Sequence, residues 1–499
     1  MQRYRNWPLI LLLVFCAGCG AGRRVLNPNH RFALEELQAD YRVFEGILKQ
    51  SHPGLYWYTT PDSMEWYFRW GQSRLHDTMT GPEFRQVLSY VVSRIACGHT
   101  SVKPPRHAER YIDSNALRLF PLSLKCWPDT AVVAANLDHD TLLRRGTVVT
   151  AINGMPMQQI VDSLFAFLPA DGHNLTHKYQ TLSNRGSFGN RFTSVFGRQD
   201  RFRISFLDST GREQTAILPA FNPFNDSTRR VRSRQPPVRL TRHQRRLLDL
   251  SGARSLRFDT ARQTAILEVN TFSKGYRLKR FFRRSFRQIR RERARFLVID
   301  LRSNGGGNVM NSTLLTKYLA TSPFRLADSL YALTRRSDYG RYIQNYFFNR
   351  LFMDFTTRRR ADGFYHFGYF ERHRFRPRGR NHFNGQTYLL TGGNSFSATS
   401  LMAQTVRREK RVLIVGEETG GGAYGNSAWL IPDVRLPFTR TRFRLPLFRL
   451  VIDHQVPHTG HGVLPEVEAL PTVEAVRRGE DFKMNKALEL IDQARRAGW

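Results

Sequence analysis

Residues 388–400 read YLLTGGNSFSATS, and the change from apolar to small residues along this stretch decides how the surrounding chain folds. The apolar and β-branched residues at its start predict a strand that ends at Thr391. The small residues that follow predict a tight turn, and then a helix that begins at or next to Ser397. A hydroxyl there lies among the unpaired N–H groups at the positive end of a helix. The stretch therefore predicts either a helix-capping serine or a nucleophile beside an oxyanion-stabilising turn.

The sequence around this stretch repeats the alternation of strands and helices. Residues 265–269, 296–300 and 412–415 are strand candidates, and one apolar helix face lies between the first two. This face is formed by Leu278, Phe282, Phe286 and Ile289. The pattern predicts an α/β core over residues 260–475, followed by a C-terminal helix in 476–499. Residues 323–386 are rich in arginine and aromatic residues, break the alternation, and are predicted to be an insertion over the site.

The first half of the chain predicts two further domains. Residues 28–115 carry apolar residues at helical spacing and a capping box at Thr80–Glu83, so we expect a helical N-terminal domain. Residues 116–220 change to short β-rich runs, and residues 145–154 (RGTVVTAING) resemble a strand pair of a PDZ domain. An ordinary β-hairpin with an Asn-Gly turn would give the same local pattern. Residues 221–259 are predicted to be a linker.

The formal net charge of +36 over 499 residues predicts attraction to polyanions, among which the anionic surface of a cell envelope is the expected partner. Most of this charge comes from arginines dispersed along the chain, which is also what a solvated basic surface looks like. No nucleic-acid partner is expected, because no basic tail or arm stands apart.

The N-terminus predicts export. Arg3 and Arg5 precede an apolar run over residues 9–15 that is too short to span a bilayer, as in a signal peptide over residues 1–19. The run ends in Cys16-Ala17-Gly18-Cys19, which resembles a lipoprotein cleavage site although Cys16 stands where leucine is usual. We expect Cys19 to be acylated and to hold the protein to a membrane of the cell envelope. The alternative is a plain secretory signal that is cleaved nearby.

Cofactors and metals are not expected from the remaining residues. Cys97 and Cys126 are too few for a disulfide framework, although one disulfide between them is compatible with the sequence. The late histidines are spaced H-x3-H-x2-H, but Pro457 and Gly460 prevent the regular helix that would place them on one face. The histidines of this pattern are His454, His458 and His461.

Three fragments of the predicted core, taken with His99, resemble the tail-specific (C-terminal-processing) serine peptidase family and its tricorn-core-like branch. The fragments are DLRSNGGG at 300–307, NSFSATS at 394–400 and GEETGGG at 416–422. The resemblance implies a catalytic core of the ClpP/crotonase-like α/β type with Ser397 as nucleophile. It also implies oxyanion donors at the backbone N–H of Ala398 and at Gly306 or its neighbour Gly305.

The resemblance also bears on the general base. Gly422 stands where one branch of the family has a catalytic lysine, whereas His99 in a Gly-His-Thr turn stands where the tricorn-like branch has a histidine. The resemblance therefore implies His99 as the base, although a histidine on a turn is usually only a polar surface residue. The carboxylate that would orient this histidine is not evident: Thr459 stands where a glutamate is expected, and Glu417 is a weak substitute.

Two functions remain compatible with these observations. The first is an exported peptidase that hydrolyses peptide bonds near substrate C-termini through an acyl-enzyme on Ser397, with peptide or protein substrates. The second is a non-catalytic envelope lipoprotein that binds peptide, lipid or polyanion on a peptidase-derived scaffold.

Overall fold

The computed structural model describes residues 27–106, 118–137, 142–223 and 239–498. The predicted signal peptide and Cys19 lie outside these residues, as does most of the first half of the predicted linker. The helices are α1 Leu34–Ser51, α2 Pro61–Ser73, α3 Gly81–Arg94, α4 Met157–Phe165, α5 Leu175–Ser183, α6 Ser187–Phe196, α7 Arg242–Ala253, α8 Leu278–Arg291, α9 Val309–Thr316, α10 Tyr346–Thr356, α11 Gly368–Arg372, α12 Ala398–Val406, α13 Val473–Arg478 and α14 Phe482–Arg496.

The strands are β1 Arg31–Phe32, β2 Met79–Thr80, β3 Val102–Lys103, β4 Leu122–Trp127, β5 Thr130–Asn136, β6 Val149–Ile152, β7 Met155–Pro156, β8 Arg201–Leu207, β9 Glu213–Pro219, β10 Arg254–Asp259, β11 Thr264–Val269, β12 Phe296–Asp300, β13 Ser329–Ala332, β14 Arg358–Arg359, β15 Tyr365–His366, β16 Gln386–Thr391, β17 Val412–Gly416, β18 Gly425–Ala428, β19 Asp433–Arg435, β20 Arg442–Arg444, β21 Phe448–Val451 and β22 Val467–Glu468. The predicted helix of residues 476–499 is α14, and the helix predicted to begin at Ser397 is α12.

The α/β core is built on a six-stranded sheet with the order β10-β11-β12-β16-β17-β22. The strands from β11 to β22 pair in parallel, and only β10 runs antiparallel to its neighbour. Strand β12 is buried along its whole length, as expected for a parallel sheet covered on both faces. Helices α8 and α12 pack on one face and α14 on the other. The α/β class predicted for the core is confirmed.

The predicted linker of residues 221–259 is wrong at its C-terminal end. Residues Arg254–Asp259 form β10, which pairs with β11 over its full length, and α7 leads directly into it. The arginines of this strand, Arg254 and Arg257, are compatible with its outer position in the sheet, where one side of the backbone has no neighbouring strand. The core therefore begins before residue 260.

The β-rich region contains the β4–β5 hairpin, a four-stranded sheet with the order β7-β6-β8-β9, and helices α4 to α6. The Asn-Gly turn between β6 and β7 has positive φ at both residues, 53° at Asn153 and 80° at Gly154, as two-residue hairpins require. Gly146, at φ 88°, lies against the backbone of Arg477. The resemblance of this region to a PDZ domain stays a prediction.

The N-terminal helices do not have a core of their own. Helices α1 to α3 pack around Phe44 and Leu88 together with Val434 and Phe443, which come from the last quarter of the chain. The buried carboxylate of Asp40 accepts hydrogen bonds from the backbone N–H groups of Phe438 and Thr439 at 2.9 and 2.8 Å. The helical segment predicted for residues 28–115 is thus part of a composite unit.

The interval 323–386 is also integrated into the fold. Its strand β13 pairs with β21 in a five-stranded sheet of the order β14-β15-β13-β21-β18. The turn at Gly340–Tyr342 and helix α10 follow, and Tyr339 contacts α1 at Gly46.

Cys97 and Cys126 are both buried free thiols in separate cores, so they form no disulfide with each other. None of the helices in the described part of the chain is both long and apolar enough to span a bilayer.

Candidate active site

Ser397 lies at the carboxyl edge of the parallel sheet, in the loop between β16 and α12. Its backbone has φ 60° and ψ −119°, a conformation that is strained for a residue with a side chain. Its hydroxyl makes no capping hydrogen bond to α12, although Ser397 occupies the N-cap position. The helix-capping interpretation of Ser397 is therefore wrong. A strained turn that leads from a strand into a helix is also how α/β-hydrolases expose their nucleophilic serine.

Ser395 holds the loop in place. It is fully buried, and its hydroxyl donates to the Leu301 carbonyl at 2.9 Å while accepting from the Gly392 N–H at 3.1 Å. Its carbonyl accepts from the Gly420 N–H at 2.9 Å and from the Ser400 hydroxyl at 2.9 Å. The two serines of the motif therefore differ in role: Ser395 is structural, whereas the hydroxyl of Ser397 makes no capping hydrogen bond and bonds to no other residue in the part of the chain that the structure describes.

The glycine run after β12 lies directly against this loop. The side chain of buried Asn304 donates to the Val269 carbonyl at 2.9 Å, and its backbone carbonyl accepts from the Phe396 N–H at 3.1 Å. Gly306 has φ 93°, and a methyl group there would lie 2.6 Å from the Phe396 carbonyl oxygen and 2.8 Å from the Ser397 Cβ. Only glycine permits this close approach.

The predicted oxyanion donors differ in availability. The Gly306 N–H already donates to the Asn304 Oδ1 at 2.9 Å, so this group is not free to bind an oxyanion. The N–H groups of Gly305 and Ala398 make no hydrogen bond to any described residue. The Ala398 nitrogen lies 3.1 Å from where a Gly306 Cβ would be, so it faces the glycine run. Of the predicted donors, the structure leaves Gly305 and Ala398.

His99 is buried, with 4% of its surface exposed, and is not hydrogen bonded to Ser397. Both of its ring nitrogens are without a hydrogen-bond partner among the described residues. Burial lowers the pKa of the His99 imidazole to about 3, with further contributions from Arg444 and His177. The ring is therefore neutral at physiological pH, which is the form that can accept a proton from a hydroxyl.

The Phe396 side chain lies between two imidazoles. Its ring centroid is 4.7 Å from that of His99 and 4.8 Å from that of His177. His177 also bonds through Nδ1 to the Gly393 carbonyl at 2.7 Å, and burial lowers its pKa. The residue next to Ser397 thus packs on the proposed base, so the two catalytic candidates are neighbours even though their polar atoms do not meet.

Asp171 is a site residue that the sequence analysis missed. Its carboxylate is buried and accepts from the Gly98 N–H at 2.8 Å and the Gly422 N–H at 3.2 Å. It thereby ties the turn that carries His99 to the glycine run after β17. Burial raises the pKa of Asp171 to about 6, opposed by these two hydrogen bonds and by Arg449. No local motif marks this residue, since it lies in a loop between α4 and α5.

The other candidates for an orienting carboxylate are occupied elsewhere. Glu417 forms a buried ion pair with Lys483 from α14, so the proposal that it orients His99 is wrong. Thr459, which stands where a glutamate was expected, is exposed.

The late histidines contact different partners: His454 contacts Tyr424, His458 stacks on Tyr58, and His461 contacts Glu418.

Comparisons with known proteins bear on the family and the fold. Residues 263–469 match the model of peptidase family S41. The structure of mature CPAF superposes with a TM-score of 0.61 at 14% identity, covering 92% of this chain and 96% of that chain. A second structure, of mature CPAF complexed with lactacystin, gives the same TM-score, identity and coverage of this chain, with 97% of that chain covered.

A further structure, the photosystem II D1 C-terminal processing protease, has a TM-score of 0.41 at 14% identity, with 90% of this chain and 98% of that chain covered. No curated protein matches the sequence. The structural likeness to CPAF therefore supports the fold, and the family match supports the class of chemistry.

Proposed function

We propose that Ser397 is the nucleophile of a serine-type peptidase of the tail-specific family S41, whose model matches residues 263–469, and that His99 is the general base. The backbone of Ser397 supports the first assignment, since its strained conformation holds a hydroxyl that makes no capping hydrogen bond to the helix it precedes. In the reaction, His99 takes the hydroxyl proton as Ser397 attacks the peptide carbonyl, and later delivers it to the leaving amine. The N–H groups of Gly305 and Ala398 stabilise the oxyanion.

Assembly of this pair requires a movement of Phe396. The ring packs on His99 and leaves both imidazole nitrogens out of contact with polar groups among the described residues. A rotation of the Phe396 side chain on substrate binding would open the path from the imidazole to the hydroxyl. Asp171 is the positioning residue in this proposal, because its carboxylate accepts a hydrogen bond from Gly98 and so fixes the turn that contains His99.

The proposed substrates are polypeptides that are cleaved near their C-termini. Strand β9 lies at the end of the four-stranded sheet, and its side chains are mostly exposed. An extended peptide added to such an edge is the binding mode of PDZ domains.

We also propose that the protein lies in the cell envelope and is anchored through Cys19. Replacement of Cys19 by alanine should then release it from membranes, whereas high salt alone should not.

A fluorophosphonate probe tests the nucleophile directly. Ser397→Ala should abolish labelling, whereas Ser303→Ala, which removes an exposed serine of the glycine run, should label like the wild type. Labelling that survives Ser397→Ala would refute the assignment. Tail specificity is tested separately by comparing peptides that differ only in a free or amidated C-terminus, and equal turnover of the two would contradict it.

A further inference from the structure

Cys97, His99 and Asp171 form a compact buried cluster. The cysteine Sγ, a ring nitrogen of the histidine and a carboxylate oxygen of the aspartate all lie within 4.8 Å of one another. The exposed fractions of the three residues are 4%, 4% and 2%. Cys97 and His99 flank the turn at the end of the N-terminal helices, whereas Asp171 is brought to them by its hydrogen bond to Gly98.

The size of this cluster suits a transition-metal ion. Three atoms no more than 4.8 Å apart have a common point within 4.8/√3, or about 2.8 Å, of each of them. Zinc bonds to sulfur, nitrogen and oxygen are about 2.0–2.3 Å long. Each side chain would therefore have to move by less than about 1 Å to bind an ion at that point. A fourth position would remain for water.

The few hydrogen bonds that these three side chains make also indicate a site for a ligand. Both ring nitrogens of His99 are buried without a partner, which is rare for an imidazole in a folded protein. The Cys97 Sγ donates a weak hydrogen bond of 3.6 Å to the Ser427 carbonyl. Each carboxylate oxygen of Asp171 accepts one backbone hydrogen bond, which leaves lone pairs for a metal.

We propose that Cys97, His99 and Asp171 bind Zn²⁺. A thiolate and a carboxylate cancel the two positive charges of the ion, so the occupied site is electrically neutral, as a buried site requires. The thiol proton is released to solvent when the sulfur binds the metal.

Occupation of this site inhibits the peptidase, and this consequence rests on the proposed role of His99. An imidazole nitrogen that holds zinc cannot accept the Ser397 proton, and the ring is fixed away from the hydroxyl. Bound zinc would thus keep the enzyme inactive, and removal of zinc would release it. The site itself is independent of the proposed function and can be detected without measuring turnover.

Cobalt substitution tests the site in the full-length protein. One equivalent of Co²⁺ should produce a thiolate-to-cobalt charge-transfer band that zinc displaces. The band should be lost in Cys97→Ser and kept in Cys126→Ser, the matched control that alters a buried thiol in another core. No band in the wild type, or a band that survives Cys97→Ser, would overturn the site.

Inhibition is then measured on a chromogenic ester. Zinc should inhibit the wild type and the Cys126→Ser variant reversibly, with recovery in EDTA. The Cys97→Ser variant should keep the basal rate but need at least tenfold more zinc. A normal cobalt band with a zinc-insensitive rate would uphold the metal site and refute inhibition through His99. An inactive protein that still shows the band would count against the proposed function alone.

Discussion

The contact between Gly306 and the nucleophile loop leads to a quantitative prediction for Gly306→Ala. The added methyl group would lie 2.6 Å from the Phe396 carbonyl oxygen, 2.8 Å from the Ser397 Cβ and 3.1 Å from the Ala398 nitrogen. Backbone atoms cannot turn away as a flexible side chain can, and φ at this position is 93°. The loop that carries Ser397 must therefore move, and the new alanine is itself strained.

The expected effect has two parts. Strained backbone of this kind costs about 1–3 kcal/mol, so the free energy of unfolding should fall by that amount in urea titrations. A displacement of the nucleophile by about 1 Å reduces a rate about 100-fold. Labelling by a fluorophosphonate at a temperature where the variant is fully folded should slow accordingly, because it reports Ser397 without involving peptide binding.

Gly305→Ala is the matched control. A methyl group at Gly305 meets no atom within 4 Å, and the substitution keeps the backbone N–H that we assign to the oxyanion. This variant should fold and react within a fewfold of the wild type. If Gly306→Ala labels as fast as Gly305→Ala, the packing of the glycine run against Ser397 is not what positions the nucleophile, and the reasoning fails.

Three further predictions concern the surrounding structure. Lys483→Met should destabilise the protein by about 3–5 kcal/mol in urea titrations by leaving the largely buried Glu417 unpaired, and adding Glu417→Gln should restore part of the loss. Gly146→Ala should lower the melting temperature more than Gly154→Ala. The two glycines have similar φ, but a methyl group at Gly146 would lie 2.8 Å from the Arg477 Cα, whereas Gly154 faces open space. Equal losses of melting temperature would rule out the contact. Burial lowers the pKa of His52 to about 3, so below pH 6.5 the unfolded chain binds a proton that the folded chain does not. The free energy of unfolding should therefore fall by up to about 1.4 kcal/mol for each pH unit below 6.5. In a His52→Gln variant the urea midpoint should depend less steeply on pH between 6.5 and 4, and an unchanged slope would contradict this.

The features that were predicted correctly are those with a strong local signal. The strand and turn before Ser397 could be recognised because apolar residues, glycines and a helix start follow one another within 388–400. The same holds for the capping box at Thr80 and Glu83, which opens α3 as predicted. In each case the residues that determine the structure are neighbours in sequence.

The features that were missed depend on contacts between distant segments. Asp171 acquires its place only because the loop after α4 folds back onto Gly98 and Gly422. Glu417 could not be excluded as the orienting carboxylate until Lys483, 66 positions later, was seen beside it. The strand β10 was hidden because the edge of a sheet tolerates the arginines that are typical of a linker.

The composite core of the N-terminal helices has a consequence for the order of folding. Asp40 is hydrogen bonded to Phe438 and Thr439, nearly 400 residues later, so α1 cannot reach its final packing until most of the chain is present. Contacts of such long sequence separation make folding slow, and until then the apolar side of the helices stays exposed. If the chain is exported as we propose, this delay keeps its N-terminal segment unfolded while it crosses the membrane.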